Sequence, residues 1–374
     1  MEFFNPVSIF HGSGIRSRLE NQCKDKSVLI FCTKTALSRY KEDHILSDLV
    51  NKDNFIFEHS YSNNPSIKDI ISISEKHNFE EFDLIIGIGG GSTLDIAKIS
   101  SVSIPAFKNG IDFNQLLDDP ELFNKFKKIE TILVPTTAGT GSEATPFATV
   151  WDYEKKIKKS LSNKKLYASA TYIDPDFLVN CPYDVLVSTG LDSLNQAFES
   201  IWNVNSSSIS SIYALHSASL SLKSLLLIDE INQIDDVRSS LSKASLYAGI
   251  AISQTRTSIC HSISYPLTLK FGLPHGLACA FSMKEVYKFN KKYIEKEMHS
   301  LGNSIQNDPY ELILEIYKKL NIENKIIKYI KEPNEISSIV KDMTTVGRFE
   351  NNIRQCSLEN LNEIICKSIK HLSG

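Results

Sequence analysis

Phe82-Asp-Leu-Ile-Ile-Gly-Ile-Gly-Gly-Gly-Ser-Thr-Leu-Asp-Ile-Ala-Lys98 passes from an apolar run through three consecutive glycines into a helical start. The run is short and rich in β-branched residues, and it ends at glycine, as a strand buried on both faces does. Glycine lets backbone N–H groups come close to a phosphate, and the amino end of the following helix favours negative charge. Alone, the stretch is also compatible with a tight strand-to-helix turn that binds nothing.

The surroundings repeat the pattern. Ser27-Val-Leu-Ile-Phe-Cys32 and Thr131-Ile-Leu-Val-Pro135 read as further buried strands, and Ser66–Phe79 and Asp95–Ala106 carry helical periodicity. Strand–helix alternation predicts an α/β layer fold with ligands at the carboxyl ends of its strands. Val134-Pro-Thr-Thr-Ala-Gly-Thr-Gly-Ser-Glu143 follows the next strand with hydroxyls at Thr136, Thr137, Thr140 and Ser142. Two such loops after neighbouring strands favour a dinucleotide.

After Ile173-Asp-Pro-Asp-Phe-Leu-Val-Asn-Cys-Pro182 the pattern turns helical: Asp184–Trp202, Ser207–Leu227, Val237–Ser264, Pro309–Leu320 and Leu358–Leu372. A boundary near residue 180 is expected, with an α/β dinucleotide-binding domain over 1–180 and an all-helical metal and substrate domain over 181–374. The serine-rich Asn203–Ser211 reads as a helix-start loop.

Bulk properties exclude several classes. The 41 basic and 44 acidic residues are spread along the 374-residue chain, giving a net charge of -3 and no basic footprint for nucleic acid. Lys155–Lys159 reads as a solvated cluster apart from Lys158. Seven irregularly spaced cysteines read as buried or incidental thiols, which fits a reducing cytoplasm. Met1-Glu-Phe-Phe-Asn-Pro-Val7 does not read as a basic region before a long apolar run, and no stretch approaches 18 uninterrupted apolar residues, so neither secretion nor membrane insertion is expected.

Ser253 to Gly276 places His261, His275 and Arg256 in an otherwise small and apolar setting, where the histidines read as metal ligands and the arginine as an anion anchor. On a continuous helix, Arg256 and His261 would point about 140° apart. That offset suits a substrate whose charged end is distant from its carbonyl.

Taken together, Asn64-Pro65, Gly87–Lys98, Pro135–Glu143, Ile173-Asp-Pro175, Gly190-Leu-Asp-Ser-Leu194 and Phe271-Gly-Leu-Pro-His-Gly276 resemble the iron-containing, or group III, alcohol dehydrogenase family. The resemblance implies an α/β plus all-α architecture of the dehydroquinate synthase-like kind: a Rossmann-like domain followed by a helical metal-binding domain. It implies NADPH or NADH contacts at Asn64, Gly89, Gly90, Gly91, Ser92, Asp95, Thr136, Thr137, Thr140, Ser142 and Lys158. Many members carry an acidic residue just after the second strand; here Thr33 and Lys34 stand there, which admits a 2′-phosphate.

The family holds one divalent metal, Fe2+ or Zn2+, through an Asp, a His four residues on, and two more histidines. Asp192, His261 and His275 match three of these, and Gln196 occupies the second position. The i, i+4 spacing puts Asp192 and Gln196 on one helical face. A glutamine carbonyl is a weaker ligand than imidazole, so Gln196 reads either as a fourth ligand or as a hydrogen bonder behind the metal. Tyr265 stands four residues after His261, where many members have another histidine; it reads as a proton donor or as packing. The other histidines, His11, His44, His59, His77, His216, His299 and His371, read as structural or solvated.

Thr255-Arg-Thr257, Ser264-Tyr-Pro-Leu-Thr268, Gln196–Asn205 and Gly347–Asn352 resemble family members that reduce phosphonoacetaldehyde to 2-hydroxyethylphosphonate in phosphonate biosynthesis. This implies a small anionic aldehyde as substrate, with Lys270 or Arg348 as possible helpers of Arg256, and self-association as a homo-oligomer, a dimer in the simplest case. Competing readings are a reductase of succinic semialdehyde, lactaldehyde or simple aldehydes, a dehydroquinate-synthase-like lyase, and a non-catalytic binding protein.

Overall fold

A computed structural model describes residues 2–43, 46–47, 55–62, 64–155, 157–230 and 233–372. The chain divides into two compact units, Asn5–Thr137 with Ser142–Val179, and Met1–Phe4 with Ala138–Gly141 and Asn180–Gly374.

The first unit is a doubly wound α/β layer. Strands β1 (Ser8–His11), β2 (Val28–Phe31), β3 (Phe55–Glu58), β4 (Leu84–Gly89), β5 (Glu130–Pro135) and β8 (Ala170–Ile173) form a sheet in the order β1-β8-β5-β4-β2-β3. Every pairing in it is parallel. All residues of β2 and β4 are buried, so both read as continuous apolar runs, and helices cover the two faces. The order reverses between β2 and β4, the kind of switch point at which such sheets take ligands. The glycine-rich turn follows β4.

That turn is shaped by close packing. The helix Gly91–Lys108 begins immediately after it, and a Cβ on Gly89 would lie 2.6 Å from the Thr93 side chain. Only glycine lets the strand end and the helix start approach so closely.

Between β5 and β8 an antiparallel hairpin, β6 (Phe147–Asp152) with β7 (Ile157–Ser162), forms a separate two-stranded sheet. The sequence reading missed it because Lys158, Lys159 and Ser160 give β7 no apolar run.

The second unit is helical. Its main elements are Tyr183–Ile201, Ser208–Leu227, Ile234–Thr255, Ile259–Phe271, His275–Asn290 and Leu358–Leu372. Ser207 caps its helix by a reciprocal side-chain arrangement with Ser210, so the serine-rich stretch is a helix start. The expected helix over Val237–Ser264 is instead two helices. The first ends at Thr255 and the second begins at Ile259, with Arg256 in between at φ 62°, ψ -176°. The helical-wheel offset between Arg256 and His261 therefore does not hold.

Ala138–Gly141 belongs to this helical unit because its backbone is pinned there. Ser193 Oγ donates to the carbonyls of Ala138 and Gly139, Gln196 Nε2 donates to that of Thr140, and Gly141 abuts Gly249. Thr140 thus sits with the helices.

His77 is buried between Glu58 and Glu80, and His371 pairs with Glu285, so both are structural; His44 lies outside the described residues. Among the described residues, no helix is long and apolar enough to cross a membrane.

Candidate metal and substrate site

Three helices of the second unit bring polar side chains together in a buried setting. Asp192, Gln196 and Glu199 lie on Tyr183–Ile201, His261 and Tyr265 on Ile259–Phe271, and His275 and Cys279 on His275–Asn290. The spacing 192, 196, 199 is one helical face, and 275, 279 is another i, i+4 pair. The close approach of the helices depends on Gly276, where a Cβ would stand 1.7 Å from the Ser188 carbonyl oxygen.

Asp192 Oδ1 lies 3.4 Å from His261 Nε2 and 4.0 Å from His275 Nε2. Cys279 Sγ lies 3.9 Å from His275 Nε2. One ligand atom from each of Asp192, His261, His275 and Cys279 falls within 4.8 Å of all the others. Asp192, Gln196, His261 and Cys279 are buried, whereas the His275 side chain is 33% exposed and forms the side open to solvent.

Two observations test whether this cluster fits a cation. Asp192 Oδ1 and Gln196 Oε1 are buried and accept no hydrogen bond, a costly arrangement for oxygens unless something positive meets them. The 3.4 Å approach of His261 to Asp192 is an ion-pair distance rather than a well-formed hydrogen bond. The electrostatics agree. Burial by itself would suppress the charged form of His261, yet Cys279, Glu199 and Asp192 hold its pKa well above the ordinary value. Burial by itself would raise Asp192, but His275, His261 and Gln196 hold it below its usual range. The donors, one carboxylate, two imidazoles and a thiol, suit zinc or iron rather than magnesium or calcium.

Glu199, which the sequence reading overlooked, organises the cluster. It is fully buried; Oε1 accepts from the His261 backbone N–H at 3.1 Å and from Ser258 Oγ at 3.3 Å, and Oε2 pairs with His261 Nδ1. One side chain thus satisfies the start of the Ile259–Phe271 helix and fixes the imidazole so that Nε2 faces Asp192, the arrangement by which an outer carboxylate orients a metal-binding histidine. Its signal was in the sequence, as the third member of the 192, 196, 199 face. Tyr265 follows His261 by one turn on the same helix, and its ring lies parallel to that of His275, 6.1 Å between centroids with planes 13° apart.

The segment carrying Arg256 is held in place despite its backbone. The φ, ψ values of Arg256 fall in a region that is strained for any residue but glycine. Thr255 Oγ1 donates to the Arg256 carbonyl at 2.8 Å, Asn203 Nδ2 to the same oxygen at 3.3 Å, and Asn351 Nδ2 to the Thr257 carbonyl at 2.9 Å. The Arg256 side chain is solvent-accessible rather than enclosed in a helix face. Arg348 lies close by: its Nη1 donates to the Gly347 carbonyl, and a Cβ on Gly347 would be 3.7 Å from Arg256 Nη1. Burial, and then the charge of Arg348, push the Arg256 pKa down. Lys270 is engaged elsewhere, with Ser338 and Glu335 at the surface.

In the α/β unit, Gly90, Gly91 and Ser92 are partly accessible at a helix start with no side-chain cap, and the two loops are joined by the Thr136 N–H donating to the Gly89 carbonyl. Thr137 lies against Gly90. Both carboxylate oxygens of Asp95 are used within the protein, accepting from Ser142 Oγ at 2.5 Å and the Thr149 N–H at 2.8 Å, so Asp95 and Ser142 brace the loops. The buried Lys98 adds to this by donating to the carbonyls of Ser142 and Phe147. Asn64 is exposed beside Tyr153, and Lys158 lies over the Trp151 ring at 5.8 Å. Thr33 caps the Lys34–Glu42 helix by accepting from the Ala36 N–H.

A parallel sheet of the dinucleotide-binding type and helices that gather Asp192, His261 and His275 are the parts expected of a metal- and nicotinamide-dependent oxidoreductase. Residues 6–175 match the iron-containing alcohol dehydrogenase family and residues 186–369 its C-terminal domain, and the chain belongs to that family. It is accordingly an NAD(P)-linked, metal-containing dehydrogenase or reductase. Among similar proteins, phosphonoacetaldehyde reductase of Streptomyces viridochromogenes is 33% identical over 210 residues, which cover 56% of this chain and 53% of that protein. NADPH-dependent butanol dehydrogenase of Clostridium saccharobutylicum is 26% identical over 89% of this chain and 86% of its own. The iron-containing alcohol dehydrogenase of Thermotoga maritima superposes with a TM-score of 0.83 at 24% identity, covering 99% of both chains.

Proposed function

We propose that this protein reduces phosphonoacetaldehyde to 2-hydroxyethylphosphonate with NADPH or NADH, as a cytoplasmic homo-oligomer serving phosphonate biosynthesis. The observation that carries the reading is the pair of guanidinium groups at Gly347, Arg256 on a strained, hydrogen-bonded turn and Arg348 next to it. Like charges held side by side favour a dianion, and guanidinium pairs with phosphonate oxygens in a bidentate manner. A conformation this strained persists only where its surroundings fix it, and such positions concentrate at ligand clamps. The resemblance to a phosphonoacetaldehyde reductase over about half of the chain supports the same substrate.

When bound, the metal supplies Lewis acidity and the nicotinamide a hydride. The chain's own residues do the rest. Asp192, His261 and His275 would hold the metal, with Glu199 fixing His261 through Nδ1. Arg256 and Arg348 orient the substrate by its charged end, so that the aldehyde is presented in one pose. Tyr265 Oη, on the ring stacked over His275, delivers the proton that completes the alcohol. Gly89 to Ser92, Thr136 and Thr137 would contact the dinucleotide, with Asn64, Thr140 and Lys158 at its edges, while Asp95 and Ser142 hold the loops in place. Thr33 and Lys34 leave room for the 2′-phosphate of NADPH.

The test is NADPH and NADH oxidation by the metal-loaded protein with phosphonoacetaldehyde, sulfoacetaldehyde, succinic semialdehyde and butanal, each with and without chelator. The reading expects chelator-sensitive, stoichiometric cofactor consumption and the highest kcat/KM on phosphonoacetaldehyde. Preference for succinic semialdehyde or butanal overturns the substrate, and turnover without net cofactor oxidation overturns the reductase.

A further inference from the structure

We infer that Cys279 is a ligand of the metal in this protein, and that its sulfur takes over the coordination lost where Gln196 replaces an imidazole. The inference rests on the family's metal dependence and not on which aldehyde is reduced.

A free cysteine in an apolar helix is most often a small buried hydrophobe. Cys279 differs in what surrounds its sulfur. It is fully buried one turn after His275, and its Sγ stands 3.9 Å from His275 Nε2. That sulfur, Asp192 Oδ1 and the two imidazole nitrogens form a single group within 4.8 Å. Ligands around one tetrahedral zinc, with bonds of about 2.0–2.1 Å to nitrogen or oxygen and 2.3 Å to sulfur, lie roughly 3.3–3.6 Å apart. Three of the six separations among these four atoms, 3.4, 3.9 and 4.0 Å, are close to that spacing and all six fall within 4.8 Å, so side-chain rotation without movement of the helices is what closing the group on an ion requires.

A second observation is a pair of unsatisfied buried oxygens on one helical face, the first of them the Asp192 Oδ1 that lies 3.4 Å from His261 Nε2. Asp192 Oδ1 and Gln196 Oε1 are both in residues only 3% exposed, and neither accepts a hydrogen bond. Gln196 has its Nε2 committed to the Thr140 carbonyl, so its remaining donor atom is a neutral amide oxygen. With that oxygen as fourth ligand, the protein charge facing a divalent ion is the single carboxylate. A thiolate at Cys279 adds a second negative charge and a soft donor, and its proton leaves to solvent as the ion enters.

X-ray absorption on the zinc-loaded wild-type protein reads the coordination directly. One sulfur at about 2.3 Å is expected beside nitrogen and oxygen at about 2.0–2.1 Å. A shell of nitrogen and oxygen alone overturns the inference, whatever the enzyme turns over. In a cobalt-substituted sample, the sulfur-to-metal charge-transfer band is expected to vanish in Cys279→Ser and to persist in Cys260→Ser. Zinc competition is expected to show weakening in Cys279→Ser beyond the roughly 10- to 100-fold that loss of an outer partner causes, with recovery in Gln196→His/Cys279→Ser. A band that survives Cys279→Ser, or unchanged zinc affinity in that variant, contradicts the assignment. The wild-type measurement stands even if the serine variant folds poorly.

Discussion

Replacing Glu199 by glutamine isolates the group that orients His261. Three donors converge on its carboxylate: Ser258 Oγ, the His261 backbone N–H and His261 Nδ1. A glutamine offers one acceptor oxygen and one NH2. If the oxygen keeps Ser258 and the backbone N–H, the NH2 meets His261 Nδ1, which must then accept, and the ring proton moves to Nε2, the atom that faces Asp192. If the oxygen instead keeps Nδ1, the NH2 confronts two donors and leaves a buried polar group unsatisfied, at about 1–3 kcal/mol. The first arrangement costs metal affinity, for which loss of an outer partner is worth roughly 10- to 100-fold, or about 1.4–2.7 kcal/mol. Zinc competition against a chromophoric chelator, together with thermal melting of the metal-free protein, separates the two. Glu199→Gln is expected to lose metal affinity, stability or both by these amounts. A variant that binds zinc as tightly as wild type and melts at the same temperature refutes the role given to Glu199.

Other consequences follow from the same structure. Gly276→Ala places a methyl group 1.7 Å from a backbone oxygen, so a stability loss of about 3 kcal/mol or more is expected in chemical denaturation, and an unchanged midpoint contradicts the packing argument. Thr33→Asp restores an acid after β2, and the ratio of kcat/KM for NADPH to that for NADH is expected to fall at least about tenfold, unless the 2′-phosphate does not lie there. For His77, burial alone would lower the pKa, but hydrogen bonds to Glu58 and Glu80 hold it raised. A raised folded pKa stabilises fully below the unfolded value of about 6.5 and is lost as pH rises through the folded value. Melting temperature is therefore expected to fall more steeply above about pH 6.5 in wild type than in His77→Gln, and parallel profiles would contradict the coupling.

In the α/β half β2, β4 and β5 were legible because they are almost wholly buried and read as apolar runs, whereas β1, exposed or half-buried along its length, and β3 and β8, each partly accessible, were not singled out. The β6–β7 hairpin has no such signature: its second strand carries lysines and serine, and pairing rather than burial defines it. The break at Arg256 was invisible for a related reason, since Thr255-Arg-Thr-Ser258 contains no glycine or proline to mark a stop. The turn is held by Asn203 and Asn351, more than 50 residues before and more than 90 after, and no local rule reports them. At the site, His261 and His275 stood out by their small, apolar surroundings, and Asp192 and Gln196 by resemblance, with the i, i+4 spacing placing the latter two on one helical face. Glu199 was overlooked although it completes the same helical face. Cys279 was passed over because one thiol in an apolar helix looks like core until the other donors are seen beside it.

The central claim is that Arg256 selects a charged aldehyde, and the discrimination ratio of wild type and Arg256→Ala tests it most directly. The quantity is kcat/KM on phosphonoacetaldehyde divided by kcat/KM on butanal, measured with saturating NADPH and full metal loading. Loss of a charged hydrogen bond of about 1.5–3 kcal/mol predicts that the ratio falls roughly 10- to 150-fold in the variant, with butanal turnover little changed. A ratio equal in the two proteins contradicts the account.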